Sequence, residues 1–193
     1  MTAGGTDPRN VAGATSALTV LTTFKWWGPA LFRFIFVIGR VVPASLAALV
    51  QLRFIHFARW AIVERLDDGG GRRRRLRGTV LYFETNFNGG WEEYIDAFCY
   101  VLARGPTRSR RLWATHGFPD ALPTGSFKDF IRRHQLPADH FYSAYPAATT
   151  PTVLVALELG AQLDEFLRGA ADVPDEDFAA AWSAFLTRTQ RCL

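Results

Sequence analysis

Thr79–Phe98 reads TVLYFETNFNGGWEEYIDAF, and this stretch decides the fold class. Its first half alternates, with Leu81, Phe83, Thr85 and Phe87 on one side of an extended chain and Val80, Tyr82, Glu84 and Asn86 on the other. Successive side chains of a strand point to opposite faces, so Thr79–Phe87 is a strand with the first set toward a core. Asn88, Gly89 and Gly90 make the turn that follows, with Asn86 and Asn88 expected to fix it through bonds to nearby backbone. The period then changes: Trp91, Ile95, Phe98 and Leu102 recur at the spacing of one helix face. Glu92 and Glu93 suit the positive end of that helix, and Gly105 with Pro106 stops it.

Upstream, Phe54–Val63 (FIHFARWAIV) is rich in β-branched and aromatic residues and reads as a preceding strand. The intervening LDDGGGRRRRLRG reads as an exposed, mobile connection, and its Arg72, Arg73, Arg74 and Arg75 as a solvated run or a contact for anionic lipid or an acidic partner. Downstream, Arg111–His116 reads as a short strand. Ser126 with Asp129 resembles a cap for a helix carrying Phe127, Phe130, Ile131 and His134, and His140–Tyr145 reads as a last strand. Two more helices follow, one capped by Thr150 and ending at Gly169, the other opening near Asp172 and Pro174 with Phe178, Trp182 and Phe185 on one face. The expected class is α+β: a ferredoxin-like four-stranded antiparallel sheet with helices on one face, an N-terminal interfacial helical segment and two C-terminal helices.

A chain of 193 residues, 49% hydrophobic, suits one domain with appendages. The expected division is an extended tail over 1–17, an apolar segment over 18–52, the sheet domain over 53–146 and the helices over 147–193. The net charge is +4, and of 22 basic residues only Lys25 and Lys128 are lysine. Such an arginine excess favours carboxylate or phosphate partners. Cys99 and Cys192 are the only cysteines, which excludes a disulfide-stapled scaffold and a cysteine zinc cluster, and a reducing compartment is the simpler reading. Cys99 falls at an apolar helical position, as a buried, unreactive thiol would. The first sixteen residues lack the basic start and apolar run of a secretory signal.

Leu18–Leu52 carries Trp26, Trp27, Phe32, Phe34 and Phe36, interrupted by Lys25, Arg33 and Arg40. A spanning helix needs about 20 mostly apolar residues. Neither run between these charges is long enough, and on a helix the three cations share one side. Pro29 can open the helix and Pro43 break it. The pattern predicts a monotopic segment with its tryptophans at head-group depth and its cations on anionic lipid, in preference to packing on its own domain or in a partner's groove, or to spanning.

His56, His116, His134 and His140 show no metal-ligand spacing, so no metal site is expected. By alternation His56 shares a side with Ala58, Trp60 and Ile62, and Arg59 points the other way; His134 reads as structural. A cavity against a partner sheet would be lined by Tyr82, Glu84 and Asn86, with Tyr142 or His140 from the last strand and Glu84 as its base. No strand carries the aromatic and basic signature of an RNA-binding sheet, so nucleic acid is not an expected partner.

HFARW (His56–Trp60), NFNGGWEEYIDAF (Asn86–Phe98), GFP (Gly117–Pro119), FIRRHQLP (Phe130–Pro137) and FYSAYP (Phe141–Pro146) occur in order. Together they resemble bacterial dimeric α+β barrel proteins related to dye-decolourising peroxidases, over about half the chain. The resemblance implies a ferredoxin-like sheet that can pair with a second copy to close a barrel, and haem as the cofactor to consider. Asn88 stands at the position of that family's loop aspartate, and the chain has length for one of its two fused halves. No cofactor is therefore expected.

The expected function is a non-catalytic, membrane-associated accessory subunit of a larger respiratory, photosynthetic or transport assembly, at the cytoplasmic face. One alternative is a peroxidase- or monooxygenase-like barrel acting on an apolar substrate through Glu84, Tyr82 and His56. The other is a carrier of lipid or a small molecule.

Overall fold

A computed structural model describes residues 7–41, 52–104, 119 and 122–190. The protein is α+β and forms two compact units, Met1–Ala147 and Ala148–Leu193. In the first, an antiparallel sheet contains β1 (Val11–Ala12), β2 (Thr15–Thr23), β3 (Ile55–Asp67), β4 (Arg73–Asn88) and β5 (Gln135–Leu136). The order is β1-β2-β4-β3, with β5 also pairing β2. Among the described residues the α-helices of this unit are α1 (Gly28–Val41), α2 (Trp91–Arg104) and α3 (Thr124–His134).

The largest departure from the sequence reading is β2, which crosses the boundary drawn between tail and apolar segment. It lies at the centre of the sheet, in register with β4 from Thr15 opposite Asn88 to Thr23 opposite Val80. Its sequence TSALTVLTT buries Ser16, Leu18, Val20 and Thr22 and leaves Ala17, Thr19 and Leu21 half-buried, the alternation of a strand with one covered face. Averaged into the apolar run to Leu52, that alternation reads as the start of a helix. The tail is structured too from Asp7, whose side chain caps a 3-10 turn over Pro8–Asn10.

β3 and β4 form a long hairpin, so the connection expected to be mobile is strand up to Asp67 and again from Arg73. Its tip is hydrogen-bonded throughout: Asp67 Oδ1 accepts from the amides of Gly69 (3.0 Å) and Gly71 (3.2 Å), and Asp68 Oδ1 from those of Gly70 (3.0 Å) and Arg72 (3.2 Å). Gly69 and Gly71 have φ of +80° and +81°, a region that glycine adopts without strain.

No strand forms over His140–Tyr145. Pro137 and Pro146 at the ends of this segment lack an amide donor, and the edge of β2 is already taken by β1 and β5. Instead Ala138 N donates to Asn10 Oδ1 (2.6 Å) and Ala14 N to Pro146 O (2.7 Å), tying the segment to the N-terminal turn. The Ser126 cap is absent as well: α3 starts after Pro123 without a side-chain cap, and Ser126 Oγ donates to Pro123 O at 3.5 Å. The strand expected at Arg111–His116, His116 itself, the GFP motif up to Phe118, Pro43 and the Gly105–Pro106 stop lie outside the described residues.

The covered face of the sheet (Leu18, Val20, Phe83, Phe87) packs against Trp91, Tyr94, Ile95, Phe98 and Cys99 of α2 and Phe127, Phe130 and Ile131 of α3. Burial pushes the Cys99 thiol up to about 12, which leaves it inert at neutral pH. α1 adds Phe32 to the same face, on Leu81 and Ile62.

Lys128 of α3 clamps α2, reaching Glu92 at 2.8 Å and Asp96 at 2.7 Å, while Arg132 pairs with Glu92 and lies over the Trp91 ring at 4.6 Å. The hydrogen bond from Lys128 holds Asp96 below its ordinary value of 3.8, and those from Asp96 and Glu92 raise Lys128 above 10.5. A depressed acid stabilises above its unfolded pKa and loses that as pH falls; a raised base stabilises below its unfolded pKa and loses that as pH rises. Lys128→Ala is therefore expected to cost about 0.5–1 kcal/mol at pH 7, by urea unfolding, and clearly less at pH 3. Equal costs at both pH values would show that the lysine acts through packing alone.

The second unit pairs α4 (Thr150–Ala170) with α5 (Asp175–Thr189). Thr149, one residue before the expected cap, accepts from Thr152 N at 3.2 Å. Phe166 of α4 meets Phe178, Trp182 and Phe185 of α5 at ring separations of 6.1, 5.5 and 4.9 Å.

Candidate functional site

α1 is apolar on two opposite sides. Phe32 is buried and Leu31, Ile35 and Phe36 are half-buried beside it. At about 100° per residue, Phe34, Val37, Ile38 and Val41 occupy one outward sector of about 100° opposite Phe32. Their exposures are 62%, 58%, 37% and 73%. Arg33 and Arg40 line one edge of this stripe, and Arg33 Nη2 bonds Glu64 Oε1 of β3 at 2.7 Å, which fixes the helix's rotation on the sheet. Ahead of the helix, Lys25 is exposed, Trp26 is 93% exposed and Trp27 is half-buried. Phe36 faces Phe32 edge-on at 5.7 Å, so of the expected contact residues it is the one turned toward the protein's own core. Among the described residues no helix is long and apolar enough to cross a membrane.

The second feature is the hairpin, where Arg72, Arg73, Arg74 and Arg75 are all exposed. Arg65 and Arg77 share the exposed ribbon.

The third is the uncovered face of the sheet. Arg59 stands directly opposite Glu84 in register; its Nη2 donates to Glu84 Oε2 at 2.6 Å and to Tyr82 Oη at 3.3 Å, and Tyr82 Oη donates to Glu84 Oε2 at 2.9 Å. The Tyr82 hydrogen bond, with the Glu84 charge, holds Arg59 above its ordinary value. Tyr82 and Glu84 are thus together as the alternation implies, but the third member is Arg59, which the sequence reading left out. Its signal was available: an arginine on the same strand face as a glutamate of the neighbouring strand is a favourable cross-strand pair. His140 and Tyr142, expected to line this face, are exposed on the irregular segment instead. His56 is not on the covered side with Ala58 and Trp60. A bulge between Ile55 and Phe57 makes it the extra, exposed residue.

No family model, curated protein or solved structure matches this chain. The described residues also do not fit haem. His56 and His140 are exposed, and His134 Nδ1 donates to Phe130 O at 2.8 Å. The apolar crevice between sheet and helices, lined by Leu18, Val20, Trp60, Phe83, Tyr94 and Phe98, holds about 20 Å³, room for a single water.

In the turn after β4, Gly89 has φ of +92°, while Asn88 Nδ2 donates at 2.9 Å to the distant Ala14 O and not to the nearby backbone the sequence suggests. A Cβ on Gly90 would lie 2.1 Å from Glu93 Oε2. Asn86 is a strand residue of the uncovered face, paired with Ala17 and Phe57, and so takes no part in the turn.

Proposed function

We propose that this protein is a peripheral membrane-docking subunit: α1 lies in the head-group region, and the sheet domain and C-terminal helices present binding surfaces to a larger membrane assembly. The observation that carries this reading is the outward stripe of α1, apolar from Phe34 to Val41, bordered by Arg33 and Arg40 and led by the exposed Trp26. Apolar side chains that face solvent on a helix already anchored by its other side favour a lipid boundary, with the indole at head-group depth and Arg40 on phosphate. Charge distribution agrees: 19 of the 22 basic residues lie in residues 1–147, against 11 of the 18 acidic ones. The strand order β5-β2-β4-β3, with α1 joining β2 to β3, supports the ferredoxin-like reading and with it a dimer closed across the uncovered sheet face.

The test is flotation with lipid vesicles. Wild-type protein is expected to float with vesicles containing anionic lipid, and the double variant Phe34→Asp, Val41→Asp to bind at least tenfold more weakly, since burying each side chain is worth about 1.5–3 kcal/mol. Undiminished flotation of the folded variant would remove α1 from the interface and this reading with it.

A second reading rests on the Arg59, Tyr82 and Glu84 cluster, where a phenol hydrogen-bonded to a carboxylate on a sheet face is a potential acid-base pair for an enzyme of barrel type.

A further inference from the structure

The outer part of the β3–β4 ribbon, residues 64–77, carries six arginines, Arg65, Arg72, Arg73, Arg74, Arg75 and Arg77, and three acids, Glu64, Asp67 and Asp68. Each acid is engaged elsewhere: Glu64 with Arg33, Asp67 with the amides of Gly69 and Gly71, Asp68 with those of Gly70 and Arg72. Among the described residues none of the six guanidinium groups has an acidic partner within ion-pair distance. Arg65 and Arg75 are moreover directly opposite in register, with Asp67 and Arg73 the next pair on the same face and Leu66 and Arg74 on the other. Cross-strand partners stand about 5 Å apart at Cβ, and like charges there destabilise the hairpin. The tip, by contrast, is tied by four backbone hydrogen bonds to its aspartates, so the arginines are held on a defined turn. Repulsion maintained on an ordered ribbon marks a site awaiting an anion.

We infer that Arg65 and Arg75, with Arg73 beside them, clamp the phosphate monoester of an anionic lipid head group. This rests on the membrane reading above. A phosphodiester's two free oxygens form a single edge that one planar fork already matches, so two forks side by side suit an anion with more than one such edge. A monoester presents three oxygens and a charge of about −1.5 to −2 at neutral pH. Selectivity therefore runs toward a lipid such as phosphatidic acid over phosphatidylglycerol, and is distinct from attraction to net surface charge.

The experiment compares flotation with vesicles of phosphatidic acid and of phosphatidylglycerol, each in phosphatidylcholine and matched for surface charge. Wild type is expected to prefer phosphatidic acid on the order of tenfold, the value of one charge-assisted hydrogen bond. Arg75→Gln is expected to abolish that preference, while phosphatidylglycerol binding falls only by the roughly fivefold that one surface charge is worth. Because it removes a like-charge pair, the same variant is expected to melt about 1–3 °C higher. Gain of stability with loss of selectivity is the signature of a ligand site and not of a structural residue.

Equal binding of wild type to both matched vesicles overturns the clamp and leaves α1 docking intact. Failure to bind any vesicle overturns the docking reading itself. Two controls test the source of the anion: displacement from phosphatidic acid by millimolar glycerol phosphate as effective as by excess vesicles would assign the site to a free phosphate, and displacement by equimolar RNA to a nucleic acid. Either result overturns the lipid assignment.

Discussion

Phe87→Ala is expected to lower the free energy of unfolding by about 3–5 kcal/mol, the range for truncating a fully buried phenylalanine. Phe87 is 0% exposed and stacks on Tyr94 with ring centroids 4.0 Å apart. It is also where three strands and a helix meet: it stands opposite Ser16 of β2 and Ile55 of β3, and its β4 neighbour Asn88 opens the turn to α2. Collapse into the vacated space is blocked on two sides by the sheet backbone, which places the cost toward the upper end of that range. Domains of this size are stable by about 5–15 kcal/mol, so the variant should be partly unfolded at 37 °C. Equilibrium urea unfolding gives the number. A loss below about 1.5 kcal/mol would mean that Tyr94 and Phe54 close over the site, and that the core is centred elsewhere.

Phe87 also marks how far the sequence could be read. From Thr79 to Phe98 strand, turn and helix follow from periodicity alone, because one face of each is packed and the other is wet, and that contrast is what periodicity reports. The uncovered side of β4 was legible for the same reason, which is how Tyr82 and Glu84 were placed together. β2 was not: its nine residues mix half-buried threonine and alanine with buried leucine and valine, so hydropathy falls smoothly into the apolar helix that follows. His140–Tyr145 misled in the opposite sense. Its aromatic residues suit a strand, but strand propensity is expressed only where an edge is available, and β5 had taken that edge at Thr19 and Val20. His56 misleads because one extra residue at a bulge shifts the side chains before it, a backbone event that alternation cannot foresee, whereas Arg59, beyond the bulge, sits on the side that alternation gives it. The contacts of residues 137–146 with Asn10 and Ala14 join positions more than a hundred residues apart, and local pattern carries no trace of them.

Those distant contacts make Gly13 a second sensitive position. Gly13→Ala is expected to destabilise the protein by about 2–3 kcal/mol, although it adds a single methyl group at an exposed turn. Gly13 has φ of +64°, a conformation that costs a residue with a Cβ about 1–2 kcal/mol. The added Cβ would also lie 2.1 Å from Pro146 O and 2.6 Å from Pro146 C and Cβ, well inside contact distance. Relief requires the 146 backbone to retreat, and the bond from Ala14 N to Pro146 O, now 2.7 Å, is lost with it, worth about 1 kcal/mol. Thermal melting separates the two contributions. Gly13→Asn, which tolerates positive φ but keeps the clash, should recover only the first part, whereas Gly13→Ala combined with Pro146→Gly should recover part of the second. A Gly13→Ala variant that melts within about 1 °C of wild type would show that β1 and the 137–146 segment do not hold each other. The N-terminal turn would then be an ornament on the sheet, not the strap that closes its β2 edge.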